Sequence, residues 1–119
     1  MKRIVIIDDD KDILESLRLL LEASGYNIIG YPNAHIFLQD LSTPPPDLYL
    51  IDKQMPGMDG LALCQLLKEQ AATRDIPVVI ISASPNIRSL AKDSGASDIV
   101  EKPFSIKTLR DVVRRALEP

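Results

Sequence analysis

Acidic side chains, a hydroxyl and an ammonium group each follow a short apolar run in this sequence. Three consecutive aspartates begin at Asp8, and Asp52, Ser82 and Lys102 come later in the chain. Crowded carboxylates repel one another, and a divalent cation relieves that repulsion. Oxygen ligands without a nearby thiolate or imidazole favour Mg²⁺ or a similar hard ion such as Mn²⁺. A carboxylate beside such an ion can attack phosphorus, and a lysine and a hydroxyl suit the phosphoryl oxygens.

Apolar runs alternate with helical patterns along the whole chain. Short runs of β-branched and other apolar residues predict strands over 4–7, 26–31, 48–51, 77–81 and 99–100. Apolar residues at helical spacing predict helices over 13–21, 34–41, 61–67, 87–91 and 106–116. Asn33 is the predicted cap of the second helix. Strands that alternate with helices imply a mostly parallel sheet with helices on both faces.

The polarity of the strands predicts their order in the sheet. The first, third and fourth strands are uninterrupted apolar runs, so we expect them to be central. The second is mixed and the fifth is short, so we expect them at the edges. This arrangement is the doubly wound, flavodoxin-like α/β fold with strand order 2-1-3-4-5. Ligands of such sheets bind beyond the carboxyl ends of the strands, where the residues singled out above should meet.

Each of these residues also has a purely structural explanation when it is taken alone. Asp9 or Asp10 could cap the first helix and complement its dipole. Asp52 could be a turn residue, and Ser82 could be a hydroxyl at the end of a strand. Lys102 could be a solvated surface charge. Their joint placement after four strands of one sheet favours the functional interpretation.

Composition limits the remaining possibilities. The 119 residues have the size of one domain, so we expect a single domain over 1–119. A net charge of −3 gives no basic field, so no direct nucleic-acid partner is expected. The chain has one cysteine, Cys64, and one histidine, His35, which excludes an intrachain disulfide and zinc-finger sites. No apolar run reaches the roughly 20 residues of a membrane helix, so a cytoplasmic protein without membrane contact is predicted.

These motifs, in this order, resemble the response-regulator receiver family of two-component signalling, which includes chemotaxis regulators. The resemblance extends from Lys2 to about Leu117. The motifs that carry it are the aspartates at 8–10, Asp52, the loop Met55-Pro56-Gly57-Met58-Asp59-Gly60, the pair Ser82-Ala83 and the triplet Lys102-Pro103-Phe104. Any one of them is weakly to moderately specific, and together they are strongly so.

The resemblance implies a role for each chemical residue. Asp52 would take a phosphoryl group from a phosphohistidine on a sensor histidine kinase or a histidine phosphotransfer protein. Ser82 and Lys102 would contact that group. The implied ligands of Mg²⁺ or Mn²⁺ are Asp8, Asp9, Asp52 and the backbone carbonyl of Gln54. The domain would catalyse only its own phosphoryl transfer and dephosphorylation.

The resemblance also implies how the signal leaves the domain. The face of helix four, strand five and helix five would act on a downstream protein target or output domain, and phosphorylation could drive homodimerisation. The residues expected to switch or tune the response are Lys53, Ser84, Ile99 and Pro103, together with Gln54. Ile99 stands where the family often has an aromatic residue, and the Lys102–Pro103 bond is typically cis in the family.

The stretch from Ser82 to Gly95 is about two residues shorter than is usual in this family. It contains Pro85, so helix four is expected to start late and to be short.

Three alternatives use a similar fold. Asp8 and Asp10 form a D-x-D that resembles the haloacid-dehalogenase phosphatases. Position 12 is Asp where that family prefers Thr or Val, and the chain is short for the usual cap and the later acidic pair. A flavin- or nucleotide-binding module would need a loop rich in Gly, Ser or Thr in place of the aspartates. A degenerate, phosphorylation-independent binding domain would retain the fold and lack the chemistry.

Overall fold

The chain alternates strands and helices throughout the computed structural model, which describes residues 1–84 and 86–118. The strands are β1 Arg3–Ile7, β2 Asn27–Tyr31, β3 Leu48–Asp52, β4 Val78–Ser82 and β5 Asp98–Glu101. The helices are α1 Lys11–Ala23, α2 Ala34–Gln39, α3 Gly60–Lys68, α4 Arg88–Asp93 and α5 Ile106–Leu117. Each of the ten predicted elements is therefore present and in the predicted order.

The strands form one parallel sheet in the order β2-β1-β3-β4-β5, which confirms the predicted topology. Every residue of β3 and β4 is buried, as their uninterrupted apolar runs predicted. Asp52 and Ser82 are the last residues of β3 and β4, whereas we expected them just beyond the strands. This places a carboxylate and a hydroxyl at the carboxyl ends of two fully buried strands.

Helices cover both faces of the sheet, and each face has its own apolar core. Val5 and Ile7 of β1 point to the side of α2, α3 and α4, while Ile4 and Ile6 point to the side of α1 and α5. The alternation follows from the two-residue period of side chains along a strand. Full burial of one such side chain stabilises the fold by about 1.5–3 kcal/mol. Cys64 is a buried member of the first core.

Side-chain caps fix where four of the helices begin. Asp10 caps α1 by accepting bonds from the backbone N–H groups of Asp12 and Ile13, at 2.9 and 3.2 Å. Asn33 caps α2 as predicted, and Asp59 and Ser105 cap α3 and α5 in the same way. The cap position of α4, Ile87, offers no side-chain hydrogen bond. The six-residue α4 confirms that this helix is short, while the predicted influence of Pro85 lies outside the described residues.

The second helix ends earlier than its apolar spacing predicted. It stops at Gln39, and Leu41 is 93% exposed where we had expected it on the helix. The reason is Asp40, whose carboxylate accepts bonds from the Tyr31 hydroxyl and from Ser42 and Thr43. Those bonds turn the chain away from the helix axis, which helical spacing alone does not reveal. His35 is exposed on α2.

Candidate functional site

Three carboxylates meet at the carboxyl ends of β1 and β3. Ile7 pairs in register with Ile51, so the residues that follow them, Asp8 and Asp52, become neighbours. Asp8, Asp9 and Asp52 each present an oxygen, and these oxygens lie within 4.8 Å of one another. The distance suits a shared cation, and the all-oxygen set suits a hard ion such as Mg²⁺.

Asp8 is the most deeply buried of the three carboxylates. Its Oδ1 accepts a bond from the Asp10 backbone N–H at 2.9 Å, while Oδ2 is buried and has no hydrogen-bond partner within 1–84 and 86–118. Burial raises the pKa of Asp8 to about 6; the Asp10 N–H opposes this rise, and the nearby Asp52 carboxylate adds to it. A buried oxygen without a partner costs about 1–3 kcal/mol. A cation at this point would remove that cost.

Burial and a nearby positive charge have opposite effects on the pKa of Asp52. It is 4% exposed, and burial raises the pKa of its carboxyl group. The Lys102 ammonium opposes that rise, because its Nζ lies 3.3 Å from Asp52 Oδ1. The result is a carboxylate that is desolvated, and therefore reactive, beside a cationic side chain that can stabilise developing negative charge.

Lys102 reaches this position from the end of β5. Its backbone N–H donates to the Ser82 carbonyl at 2.8 Å, which continues the β4–β5 pairing one residue beyond the strand. The Lys102–Pro103 peptide bond that follows is cis, as the family resemblance implied. The lysine thus leaves the sheet at a fixed point and extends toward Asp52.

Ser82 brings a hydroxyl to the same edge. It is 2% exposed, and its Oγ accepts a bond from the Ser84 backbone N–H at 3.0 Å. That bond uses a lone pair of the oxygen and leaves the hydroxyl proton free to be donated. Ser84 therefore orients the predicted phosphoryl-binding group through its backbone.

Lys53 and Gln54 open the loop between β3 and α3. The Lys53 backbone N–H donates to the Ile81 carbonyl at 2.8 Å, and Met55 is buried two residues later. The Lys53 side chain is half-buried and that of Gln54 is exposed, so both flank the rim of the site. The role of the Gln54 carbonyl as a metal ligand stays a prediction.

Ile99 lies away from the carboxylates, on the side of the sheet that α4 covers. It is 6% exposed and packs in one core with Ile87 and Ala91. Its buried side chain links β5 to α4, which fits a part in switching, although that part stays a prediction.

Sequence reasoning missed a cluster of ion pairs where α4, β5 and α5 meet. Asp98 at the start of β5 forms ion pairs with Arg88 of α4 and Arg115 of α5, both at 3.5 Å. These three residues border a groove of about 740 Å³ that runs along β5. Opposite charges 10 and 17 positions apart produce no local sequence pattern, so only the fold reveals that they meet.

The geometry also bears on two of the alternative functions. The Asp10 carboxylate caps α1, so it is engaged with the backbone and does not join the carboxylate cluster as a phosphatase D-x-D would require. The loop after β1 consists of aspartates, which repel a phosphate in the absence of a metal.

In the described part of the chain, every helix is too short or too polar to cross a membrane.

Comparison with known proteins identifies the family to which this architecture corresponds. The family model for the response regulator receiver domain matches residues 4–114. The chain is 38% identical over 112 residues to the phosphate regulon transcriptional regulatory protein PhoB of Klebsiella pneumoniae. That match covers 91% of this chain and 48% of PhoB.

Two solved structures extend the comparison. The signal receiver domain of a signal transduction histidine kinase from Syntrophus aciditrophicus is 34% identical with a TM-score of 0.88, covering 98% of this chain and 90% of that one. The response regulator TrrA of Thermotoga maritima, solved in complex with Mg²⁺-BeF, is 30% identical with a TM-score of 0.87. That match covers 98% of this chain and all of TrrA.

The chain spans about half the length of the curated relatives it matches. One of these relatives is named as a transcriptional regulatory protein and another as a DNA-binding regulator. The prediction of no direct nucleic-acid partner therefore finds no support in the comparisons.

Proposed function

The chain belongs to the response regulator receiver domain family, and we propose that Asp52 is its phosphoryl acceptor. The observation that carries this proposal is the convergence of a buried Asp52 with Asp8 and Asp9 on one side and Lys102, at 3.3 Å, on the other. The donor would be a phosphohistidine on a sensor histidine kinase or a histidine phosphotransfer protein.

The reaction needs a divalent cation, and the residues present fit one. The support is the unpartnered, buried Oδ2 of Asp8 together with an all-oxygen donor set. Asp8, Asp9, Asp52 and the Gln54 carbonyl would hold Mg²⁺ or Mn²⁺. When bound, the cation supplies positive charge that shields the phosphoryl oxygens from the attacking carboxylate.

Asp52 and its neighbours would each have a separate role in phosphoryl transfer. One Asp52 carboxylate oxygen forms a bond to phosphorus as the bond from phosphorus to the donor nitrogen breaks, and the leaving imidazole keeps that electron pair. Lys102 neutralises charge on the acyl phosphate, and the Ser82 hydroxyl donates to a phosphoryl oxygen. Lys53 and Gln54 would admit or exclude the water that later hydrolyses the acyl phosphate.

The response would then leave through the face of α4, β5 and α5. Movement of Ser82 toward the phosphoryl group draws in the loop after β4, to which Ser84 belongs, and Ile99 transmits this to α4. Pro103, which directly follows Lys102, would take part in this response. The receiver unit would comprise residues 1–119, act in the cytoplasm on a downstream protein or output domain, and have no catalytic activity beyond its own phosphorylation and dephosphorylation. A phosphorylation-dependent homodimer is part of the proposal.

Incubation with acetyl phosphate tests this function directly. With Mg²⁺, the intact protein should gain the mass of one phosphoryl group, and chelation of the metal should prevent the gain. Asp52→Asn should remain unmodified, whereas Asp75→Asn, a matched change at an exposed residue before β4, should behave as wild type. Equal modification of Asp52→Asn and wild type would refute the assignment.

A further inference from the structure

The loop between β3 and α3 is closed by its own backbone. The Gly60 N–H, at the first residue of α3, donates to the Lys53 carbonyl at 2.8 Å. Between these two residues, Met55 is buried and the Asp59 side chain caps α3 by accepting from the Ala62 N–H at 2.8 Å. The start of α3 is therefore fastened to the residue that follows Asp52.

Gly60 packs against the main chain of Asp52 with no room for a side chain. A β-carbon at this position would lie 2.9 Å from the Asp52 carbonyl carbon and 2.9 Å from the Lys53 α-carbon, and closer still to the Asp52 carbonyl oxygen. These are main-chain atoms at the end of a central strand, so they cannot rotate aside as a side chain would. Any larger residue must displace α3 or the end of β3.

The structural reason for a glycine at position 60 differs from the reason at three other glycines of the chain. Gly25, Gly57 and Gly95 have positive φ, which favours glycine whatever their surroundings. Gly60 is not among them, and its requirement is for space alone. At Gly95 the nearest obstacle is the flexible side chain of Lys68, which can move.

We propose that Gly60 is a positioning residue for phosphoryl acceptance, because its bare α-carbon lets α3 hold the Asp52 backbone in place. This inference rests on the proposed function of Asp52. The carboxylate oxygens of Asp8, Asp9 and Asp52 cluster within 4.8 Å, and Lys102 contacts Asp52 at 3.3 Å. A shift of Asp52 by about 1 Å disturbs both arrangements, and misplacement of that size can cost about 100-fold in rate.

The test compares two glycine substitutions that both strain the fold. Gly60→Ala inserts a methyl group against Asp52, while Gly25→Ala strains a positive-φ residue at the far end of α1 with nothing within 4 Å. Melting temperature and the rate of Mg²⁺-dependent phosphorylation by acetyl phosphate are measured for each variant. Backbone amide NMR spectra of both variants report which residues move.

We expect Gly60→Ala to lose at least tenfold in phosphorylation rate and to shift the amide signals of Asp52 and Lys53. Gly25→Ala should lose melting temperature and keep the wild-type rate within about twofold. A Gly60→Ala rate within twofold of wild type would overturn the inference, as would equal losses of rate in the two variants.

Two further measurements separate this inference from the proposed function. If the wild-type protein accepts no phosphoryl group, the proposed function fails. The positioning role is judged separately by NMR: unchanged amide signals of Asp52 and Lys53 in Gly60→Ala would overturn it. If Gly60→Ala does not fold, hydrogen exchange of the wild-type Gly60 amide decides. Protection similar to that of β3 supports the closed loop, and exchange as fast as that of exposed loop amides contradicts it.

Discussion

Asp8 is the residue whose environment most clearly calls for a ligand. Its carboxylate is completely buried, one oxygen has no partner in the described part of the chain, and its pKa is raised to about 6. Natural folds rarely retain such a group without a compensating interaction. A bound cation would turn this unfavourable group into a favourable one, so the metal-free protein gives up stability for its site.

We predict that Asp8→Asn stabilises the metal-free protein. The pKa of Asp8 rises from the ordinary value of 3.8 to about 6 on folding. With a chelator present to remove metal, the free energy of unfolding should therefore fall as pH rises between these two values. At pH 8 the neutral amide avoids this loss, and the free energy of unfolding should increase by about 1–3 kcal/mol. Denaturant titration measures it.

The matched control is Asp12→Asn, which neutralises an exposed aspartate in the first turn of α1. Because an acidic residue there interacts favourably with the helix dipole, this change should be slightly destabilising. A loss of stability in Asp8→Asn at pH 8 would contradict the account of Asp8.

We predict that Lys102→Met separates metal binding from phosphoryl transfer. Without the ammonium 3.3 Å from Asp52 Oδ1, the pKa of Asp52 should rise further and phosphorylation should slow by at least tenfold. Mg²⁺ should bind as tightly as before or more tightly at pH 8, since a neighbouring positive charge has been removed. Calorimetry and phosphorylation rates measure the two effects.

Lys107→Met is the control for this variant, because Lys107 is an exposed lysine that pairs with Asp111 on α5. It should leave both quantities unchanged. Weaker Mg²⁺ binding in Lys102→Met, in parallel with slower phosphorylation, would mean that the lysine merely supports the fold of the site.

At the scale of elements, α4 is held less firmly than its neighbours. It has six residues and no side-chain cap, and Ala91 is its only buried residue. By contrast, α5 has twelve residues, a Ser105 cap and three buried apolar side chains. Short helices gain stability mainly from packing, so α4 is the helix that a change at Ser82 could displace most easily.

We predict that hydrogen exchange distinguishes these two helices. The amides of α4 should exchange at least tenfold faster than those of α5 in the unphosphorylated protein. Mass spectrometry of peptic peptides or NMR would measure the rates. Equal protection of the two helices would contradict a mobile α4 and would weaken the proposal that this face carries the signal.

Elements were more predictable than contacts between them. Uninterrupted apolar runs revealed β1, β3 and β4 as central strands, because such runs are typical of strands buried on both faces. The helical spacing of Leu41 wrongly predicted that α2 extends to this residue, because the hydrogen bonds of Asp40 end the helix at Gln39. Gly60 reads in the sequence as one more loop glycine, and only the fold shows its packing against Asp52. The meeting of Asp98 with two arginines likewise depends on tertiary structure.

At the scale of the whole molecule, metal binding and folding should be linked. A ligand that binds only the folded state stabilises it, by about 2.7 kcal/mol at 100 times its Kd. We predict that Mg²⁺ raises the melting temperature at pH 8 and that this rise disappears as pH falls through about 6, because Asp8 then binds a proton instead. Thermal scans across pH measure it.

Asp75→Asn should retain this pH-dependent stabilisation, while Asp8→Asn should lose most of it. A stabilisation by Mg²⁺ that is undiminished at pH 5 would show that the cation binds elsewhere.

The identity of the phosphorylated residue is the central claim, and chemical mapping tests it most directly. Borohydride reduces an aspartyl phosphate to homoserine, which marks the acceptor in a sequenced peptide. After treatment with acetyl phosphate and Mg²⁺, we predict homoserine at position 52 and at no other aspartate. Homoserine at position 8 or 9, or a phosphoryl group that resists reduction on a serine or on His35, would contradict the account.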